Sequence, residues 1–218
     1  MFNTPDAFTL IGGLTLVGLL PFITVMATSF VKISIIFVLI RNALGVQQAP
    51  PNMAMNGLAL VLTIFIMAPV AYECHQIALE LGTEWENSTE AMQGIGHILE
   101  PYRQFLLNKV SQTEVDFFAD TAKQLWPPEH RDIIDNESFL VLIPAYTVSE
   151  LTSAFEVGFI LYLPFIAIDL IVSNILLAMG MMMVSPMTIS LPFKLLLFVL
   201  LDGWTRLTHG IVLSYQIG

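Results

Sequence analysis

Over residues 139–201 the chain carries only four charged side chains, Glu150, Glu156, Asp169 and Lys194. A run so poor in charge needs lipid or extensive protein burial around it. In such surroundings the backbone must satisfy its own hydrogen bonds, which selects helices over open sheets. Residues 7–31 continue the theme, with no charge in 25 residues, and residues 53–72 repeat it. Each of these runs reaches the roughly 20 residues that a bilayer-spanning helix requires. Over the whole sequence 56% of residues are hydrophobic and 12% are charged. The charged share is about half that of an ordinary soluble domain. The fold class expected is all-α, with membrane-associated helical hairpins.

The net charge of −10 is unevenly spread. Residues 73–137 hold thirteen acids and four bases, Arg103, Lys109, Lys123 and Arg131. Three regions are therefore expected: an N-terminal apolar hairpin over 1–72, an inserted acidic helical domain over 73–138, and C-terminal apolar hairpins over 139–218. An acidic middle argues against nucleic acid, whose phosphates call for Lys and Arg. Cys74 is the single cysteine and cannot form an intrachain disulfide. The opening MFNTPDAF has no basic leader region, so the first apolar run is expected to be retained. The short turn after residue 41 carries Arg41 and no acid. The positive-inside rule then sets that turn in the cytoplasm and the acidic domain on the periplasmic side.

Local signals divide these regions further. Pro21 predicts a kink in the first run. Arg41 in a last turn, with Gly45 following, predicts a helix end, and Pro50-Pro51 a turn. Pro101 suits a first helical position. Val115, Phe118, Ala119, Ala122, Leu125 and Trp126 recur at helical spacing, which predicts an amphipathic helix ended by Pro127-Pro128. Asp169 is expected to divide the following apolar stretch into 151–168 and 170–183. Residues 185–192 read as a loop or hairpin tip. One last helix is expected to carry Lys194, Phe198, Asp202 and Arg206 on a common face, with Asp202 and Arg206 in the favourable acid-first order.

Charges inside apolar helices constrain the architecture. A Lys, Arg or Asp at the centre of a spanning helix costs roughly 2.5–3.5 kcal/mol on insertion scales. Lys32, Glu150, Glu156, Asp169, Lys194 and Asp202 cannot all face lipid, and should face protein, water or each other. Lys32 and Asp169, at segment junctions, are expected at headgroup level. Glu150 and Glu156 flank an apolar turn beside the small residues Ala154 and Gly158. Small residues permit close helix approach, so this stretch is expected to form a subunit interface with buried or pore-facing carboxylates.

Five of the eleven methionines fall within residues 179–187. One reading is a helix end packed in a core. The other is functional: flexible thioether chains adapt to irregular surfaces, and a ring of them from several subunits closes a pore without a fixed shape. Chemistry is otherwise sparse. No GxxxxGK[ST], HExxH or GxSxG motif occurs, and His75, His97, His130 and His209 are scattered. Asp169 and Asp202 do not sit in motifs resembling those of intramembrane aspartyl proteases. No enzyme, cofactor or metal is expected.

Three stretches carry a family likeness: LPFITVMATSFVKISIIFVLIRNALGVQQAPPNMAMNGLALVLTIFIMAP over 20–69, IPAYTVSELTSAFEVGF over 143–159, and YLPFIAIDLIVSNILLAMGMMMVSPMTISLPFKLLLFVLLDGW over 162–204. Together they resemble the SctR/FliP family of type III secretion and flagellar export proteins. The lack of a leader favours the injectisome (SctR) branch, and the last block is nearest the YscR and SsaR type. The resemblance implies a homo-pentamer joined by SctS- and SctT-like subunits in a helical, pseudo-hexameric export gate, with a SctU-like protein at its cytoplasmic side. That gate passes unfolded substrate proteins across the bacterial inner membrane, driven by the proton-motive force and a separate ATPase. Its closed channel is sealed by a methionine gasket, which corresponds here to Met181, Met182 and Met183. The family also uses inter-subunit salt bridges, for which Glu150, Glu156 and Lys194 are the candidates. Lys32, Asp169, Asp202 and Arg206 are further candidates for buried charge. Which acid meets Lys194 is left open. Two readings compete with the gate: a small-solute transporter, for which no internal repeat is visible, and a structural anchor without a conduit.

Overall fold

The computed structural model describes residues 14, 15, 18, 22, 25–46, 49–82, 88–127, 129, 131 and 135–216. Among these every regular element is helical. The elements are α1 (Phe30–Leu44), α2 (Asn52–Leu81), α3 (Ser88–Ile98), α4 (Glu100–Lys109), α5 (Gln112–Leu125), α6 (Phe139–Ala178), α7 (Pro186–Leu200) and α8 (Gly203–Ser214). The expected kink at Pro21, and most of the first apolar run, lie outside the described residues.

Several boundaries follow the sequence signals. α1 ends with Gly45 in the left-handed region at φ 76°, its N–H bonded to the Asn42 carbonyl at 3.1 Å. A Cβ disfavours that conformation, so glycine stops the helix there. The Arg41 guanidinium donates to Asn52 Oδ1 and closes the turn between α1 and α2. Pro101 sits in the first turn of α4. α5 forms where the apolar spacing places it and buries Val115 and Ala119. Its predicted contact residue Leu125 instead lies exposed at the helix end.

Other boundaries differ. α2 runs on past residue 72 to Leu81, so the change to acidic composition falls inside a continuous helix. Asp169 does not divide the C-terminal stretch: α6 is one helix of 40 residues that passes through Pro144, Pro164 and Asp169. A proline removes one donor and bends a helix. Where apolar surroundings offer the remaining backbone groups no other partner, the helix continues. The hairpin tip comes earlier in the chain than expected. The turn occupies 179–185, with Gly180 at φ 74°, and α7 already begins at Pro186. Finally, the single last helix is two. The chain bends by 59° between α7 and α8, with Asp202 in the left-handed region at φ 50°. Arg206 therefore does not continue the Lys194–Phe198 face.

α6 is the spine. Among the described residues α1 makes the most extensive helix pairing along it, and α4, α5 and α7 also pack on it. The core gathers Ile33, Ile36, Phe37 and Ile40 of α1 with Val141, Leu142, Ala145, Tyr146 and Ala154 of α6. Gly158 shows how tight the α1–α6 seam is. A Cβ built there would lie 2.2 Å from Leu39 Cδ1 and 3.3 Å from Leu39 Cβ. The small residues Ala154 and Gly158, expected at a subunit interface, are thus buried within the chain itself.

Gly158→Val should push α1 off α6 at a cost of about 1–3 kcal/mol, typical of overpacking. The thermal midpoint in detergent is expected to fall, and Leu39→Ala in the same chain to recover most of the loss. Equal midpoints for Gly158→Val with and without Leu39→Ala would show that the seam is not sterically limited there.

Candidate functional site

Two buried charge clusters lie along α6. The first is centred on Glu150. Lys32 Nζ of α1 stands 3.6 Å from Glu150 Oε1, the two side chains being 10% and 4% exposed. Just beyond α8, Tyr215 donates its hydroxyl to Glu150 Oε2. Lys32 also lies over the Tyr215 ring, 5.0 Å from its centroid. Such cation–π contacts strengthen when desolvated. Tyr146, one turn before Glu150, is fully buried behind the cluster. On the acidic segment's side Lys109 of α4 approaches the same ring at 5.8 Å. Its burial and the neighbouring Lys32 ammonium hold the Lys109 pKa below its usual value, and Glu150 opposes them.

The second cluster is centred on Lys194 of α7. Its ammonium donates to Asp169 Oδ2 at 2.5 Å and to the Ala43 carbonyl at 3.1 Å. Ser190 donates to Asp169 Oδ1 at 2.5 Å. The Lys194 side chain is 3% exposed and that of Asp169 37%. Ala43 lies in the last turn of α1, so the lysine also places positive charge at a helix C-terminus, where the backbone dipole favours it. The cluster joins α1, α6 and α7 below the methionine turn. Ser190, Lys194 and Phe198 share one buried face of α7 because they recur every four residues. Lys32 and Asp169, expected at headgroup level, lie within α1 and α6, and each is paired with an opposite charge.

The remaining charges behave differently. Glu156 is exposed, with no ion pair within 4.0 Å among the described residues. At about 100° per residue, six positions set it roughly 120° around α6 from Glu150. Asp202 and Arg206 are both exposed and form no ion pair with each other, although the Arg206 N–H bonds the Asp202 carbonyl at 3.0 Å.

The methionine turn is bare. Met181, Met182 and Met183 are 42%, 81% and 99% exposed, so they do not form a helix end packed in this chain's core. Beside the turn, an apolar cleft of about 400 Å³ opens between α6 and α7, lined by Ile171, Ile175, Met179, Ile189 and Phe193 among others. The apolar helices are bare as well. Only 22% of the most apolar stretch of α2, and 17% of that of α6, is buried against the rest of the chain. Both helices are long and apolar enough to cross a membrane, and α7 with α8 would make a third span if the bent pair counts as one. Among the described residues no group of three or more His, Cys, Asp or Glu side chains is placed to hold a metal ion.

The sequence named Glu150, Lys32, Asp169 and Lys194 without their pairing. It missed Tyr215, Lys109 and Ser190. The signal for Tyr215 was its place in the series Leu207, Ile211, Tyr215, which forms the buried stripe of α8.

An all-helical chain with membrane-length apolar helices and charges paired inside the protein is a membrane-type helical protein. It belongs to the FliP family, which matches over residues 13–211. The resemblance read from three blocks therefore extends over almost the whole chain. Among its relatives is the Yop proteins translocation protein R of Yersinia pestis, 58% identical over 215 residues that make up 99% of each chain. Another is the virulence protein YscR of Salmonella typhimurium, 49% identical over 98% of this chain and all of the relative. The hypersensitivity response secretion protein HrcR of Ralstonia nicotianae is 45% identical over 92% of this chain and 93% of its own length.

Removing one member of a buried pair leaves an uncompensated charge, at a cost of about 3–5 kcal/mol. Glu150→Gln and Lys32→Met should each lower chemical-denaturation stability on that scale, and the two together by clearly less than the sum. Additive losses in this cycle would show that the two side chains do not interact. Lys194→Glu should sharply reduce the yield of folded protein in detergent, by setting two carboxylates face to face. Exchanging the charges, as Asp169→Lys with Lys194→Asp, should restore part of it. No recovery on exchange would mean that the surrounding geometry, and not the charge pair, sets the yield.

Proposed function

We propose that this chain is a core subunit of a type III secretion export gate, part of the channel that carries unfolded proteins across the bacterial inner membrane. Membership of the FliP family and the names of the translocation, virulence and secretion relatives support its place in the type III export apparatus. The gate reading goes further, and the methionine turn carries it. Three consecutive methionines stand exposed at the end of a hairpin, Met182 and Met183 almost wholly so.

In this reading several copies, five by the family's pattern, surround a channel together with SctS-, SctT- and SctU-like partners. The bare apolar faces of α2 and α6 supply the contacts between subunits and with lipid. At about 1.5 Å per residue, α6 is about 60 Å long, twice the roughly 30 Å hydrocarbon core. A helix of that length suits a subunit that stands partly above the bilayer. The acidic domain over 73–138 lies on the periplasmic side. Met181, Met182 and Met183 from neighbouring copies form the seal, because flexible apolar side chains close around cargo of any shape and dewet a constriction at rest. Glu156, Asp202 and Arg206, which form no ion pair among the described residues, are charges available to bridge subunits. Glu150 and Lys194 have intrachain partners and would bridge subunits only through their remaining acceptor or donor capacity.

Native mass spectrometry of the chain co-expressed with its SctS- and SctT-like partners tests the assembly. A ring that incorporates both supports the gate, whereas a monomer indifferent to both removes it. Within an assembled complex, replacing Met181, Met182 and Met183 together by alanine should preserve the assembly and raise small-ion leak across the membrane. Unchanged conductance would remove the seal from this segment.

A further inference from the structure

Tyr215 is the meeting point of four helices that lie far apart in sequence. Its hydroxyl bonds Glu150 of α6. Its ring lies under the Lys32 ammonium of α1 and stacks on Phe105 of α4, with centroids 6.4 Å apart and planes 14° from parallel. Lys109, the last residue of α4, reaches past its own helix end. Its ammonium lies 3.3 Å from the Ser214 carbonyl and 3.4 Å from the Gln216 carbonyl. Ser214 is the last residue of α8 and Gln216 lies two residues past it, so the lysine sits at the C-terminal end of that helix. A lysine from another helix thus caps α8, and cations at helix C-termini are favoured by the dipole.

The electrostatics make the arrangement mutual. Two ammonium groups lie near one ring, and among the described residues Glu150 is the carboxylate that pairs with the group. The tyrosine hydroxyl fixes that carboxylate, while the ring interacts favourably with both cations. Removing either the hydroxyl or Lys109 therefore disturbs partners on α1, α4, α6 and α8 together. Phe105 also touches Tyr146 at 5.9 Å, which extends the contact into the α6 core.

We propose that Tyr215 and Lys109 form a latch that locks the end of the chain to the α4 helix of the acidic segment, so that α4 and α8 loosen together and not independently. The latch also gives the buried Lys32–Glu150 pair its hydroxyl partner. The acidic segment is thereby fixed against the apolar hairpins by the last helix. This inference does not depend on the export-gate reading.

Hydrogen exchange of the purified full chain in detergent tests it. Tyr215→Phe keeps the ring and its stacking and removes only the hydroxyl. Exchange over 100–109 and over 203–214 should rise together by about tenfold, as expected for losing a hydrogen bond to a charged group. Lys109→Met should raise both segments similarly, and the double variant by less than the product of the two effects, since coupled groups are not additive. Three results would overturn the latch: unmodified rates in either segment for Tyr215→Phe, a Lys109→Met effect confined to 100–109, or an equal rise over 160–178, which would mark global loosening.

Discussion

α1 lies along α6, and the seam between them has two requirements that bear on everything else. Gly158 must stay small for Leu39 to pass, and Glu150 must keep Lys32 beside it. Steric closeness excludes water from the seam. Exclusion of water makes an unpaired charge there costly, so the pair and the packing depend on each other. The second ion pair anchors the other end of α1, where Lys194 joins the Ala43 carbonyl to Asp169. α1 is thus tied to α6 near both of its ends, and α7 is held to the pair by the same lysine. The acidic segment joins this frame through Phe105, Lys109 and Tyr215.

The frame leaves much apolar surface uncovered. Individually exposed leucines are ordinary on any protein. Whole membrane-length helices with less than a quarter of their most apolar stretch buried are not. Such faces require lipid or other subunits, and the charges sort accordingly. Lys32, Glu150 and Lys194 are buried inside, Asp169 is paired at the margin, and Glu156 stands outward. The α6–α7 hairpin is fixed by an ion pair below its tip, and the tip itself is exposed methionine, whose thioether chain is flexible.

Much of this was legible before any coordinates. The all-helical class followed from apolar runs longer than a bilayer is thick, since only internally bonded backbone survives there. The end of α1 was legible because Gly45 alone tolerates the left-handed turn. α5 was legible because its apolar residues keep the helical period. The family resemblance rested on ordered blocks of residues, and it held over nearly the full chain. Charge placement in the runs named Lys32, Glu150, Glu156, Asp169, Lys194 and Asp202 as residues that should face protein, water or each other; four of them pair within the chain, and Glu156 and Asp202 have no ion pair among the described residues.

What only the tertiary structure decided were the pairings and the breaks. An ion pair between Lys32 and Glu150 joins residues 118 positions apart in the numbering, and no local period encodes such a contact. Asp169 was expected to end a helix because a lone carboxylate in an apolar run is unfavourable, yet Lys194 from α7 removes that penalty and α6 continues. Asp202 was expected inside a helix because its spacing fits. The chain bends there instead, and Gly203 follows where an added Cβ would lie 2.3 Å from the Phe198 ring. The sequence determined which segments must be helical and which side chains must find partners. The fold determined which partners they found, because those choices depend on distances between helices that are set only when all of them pack.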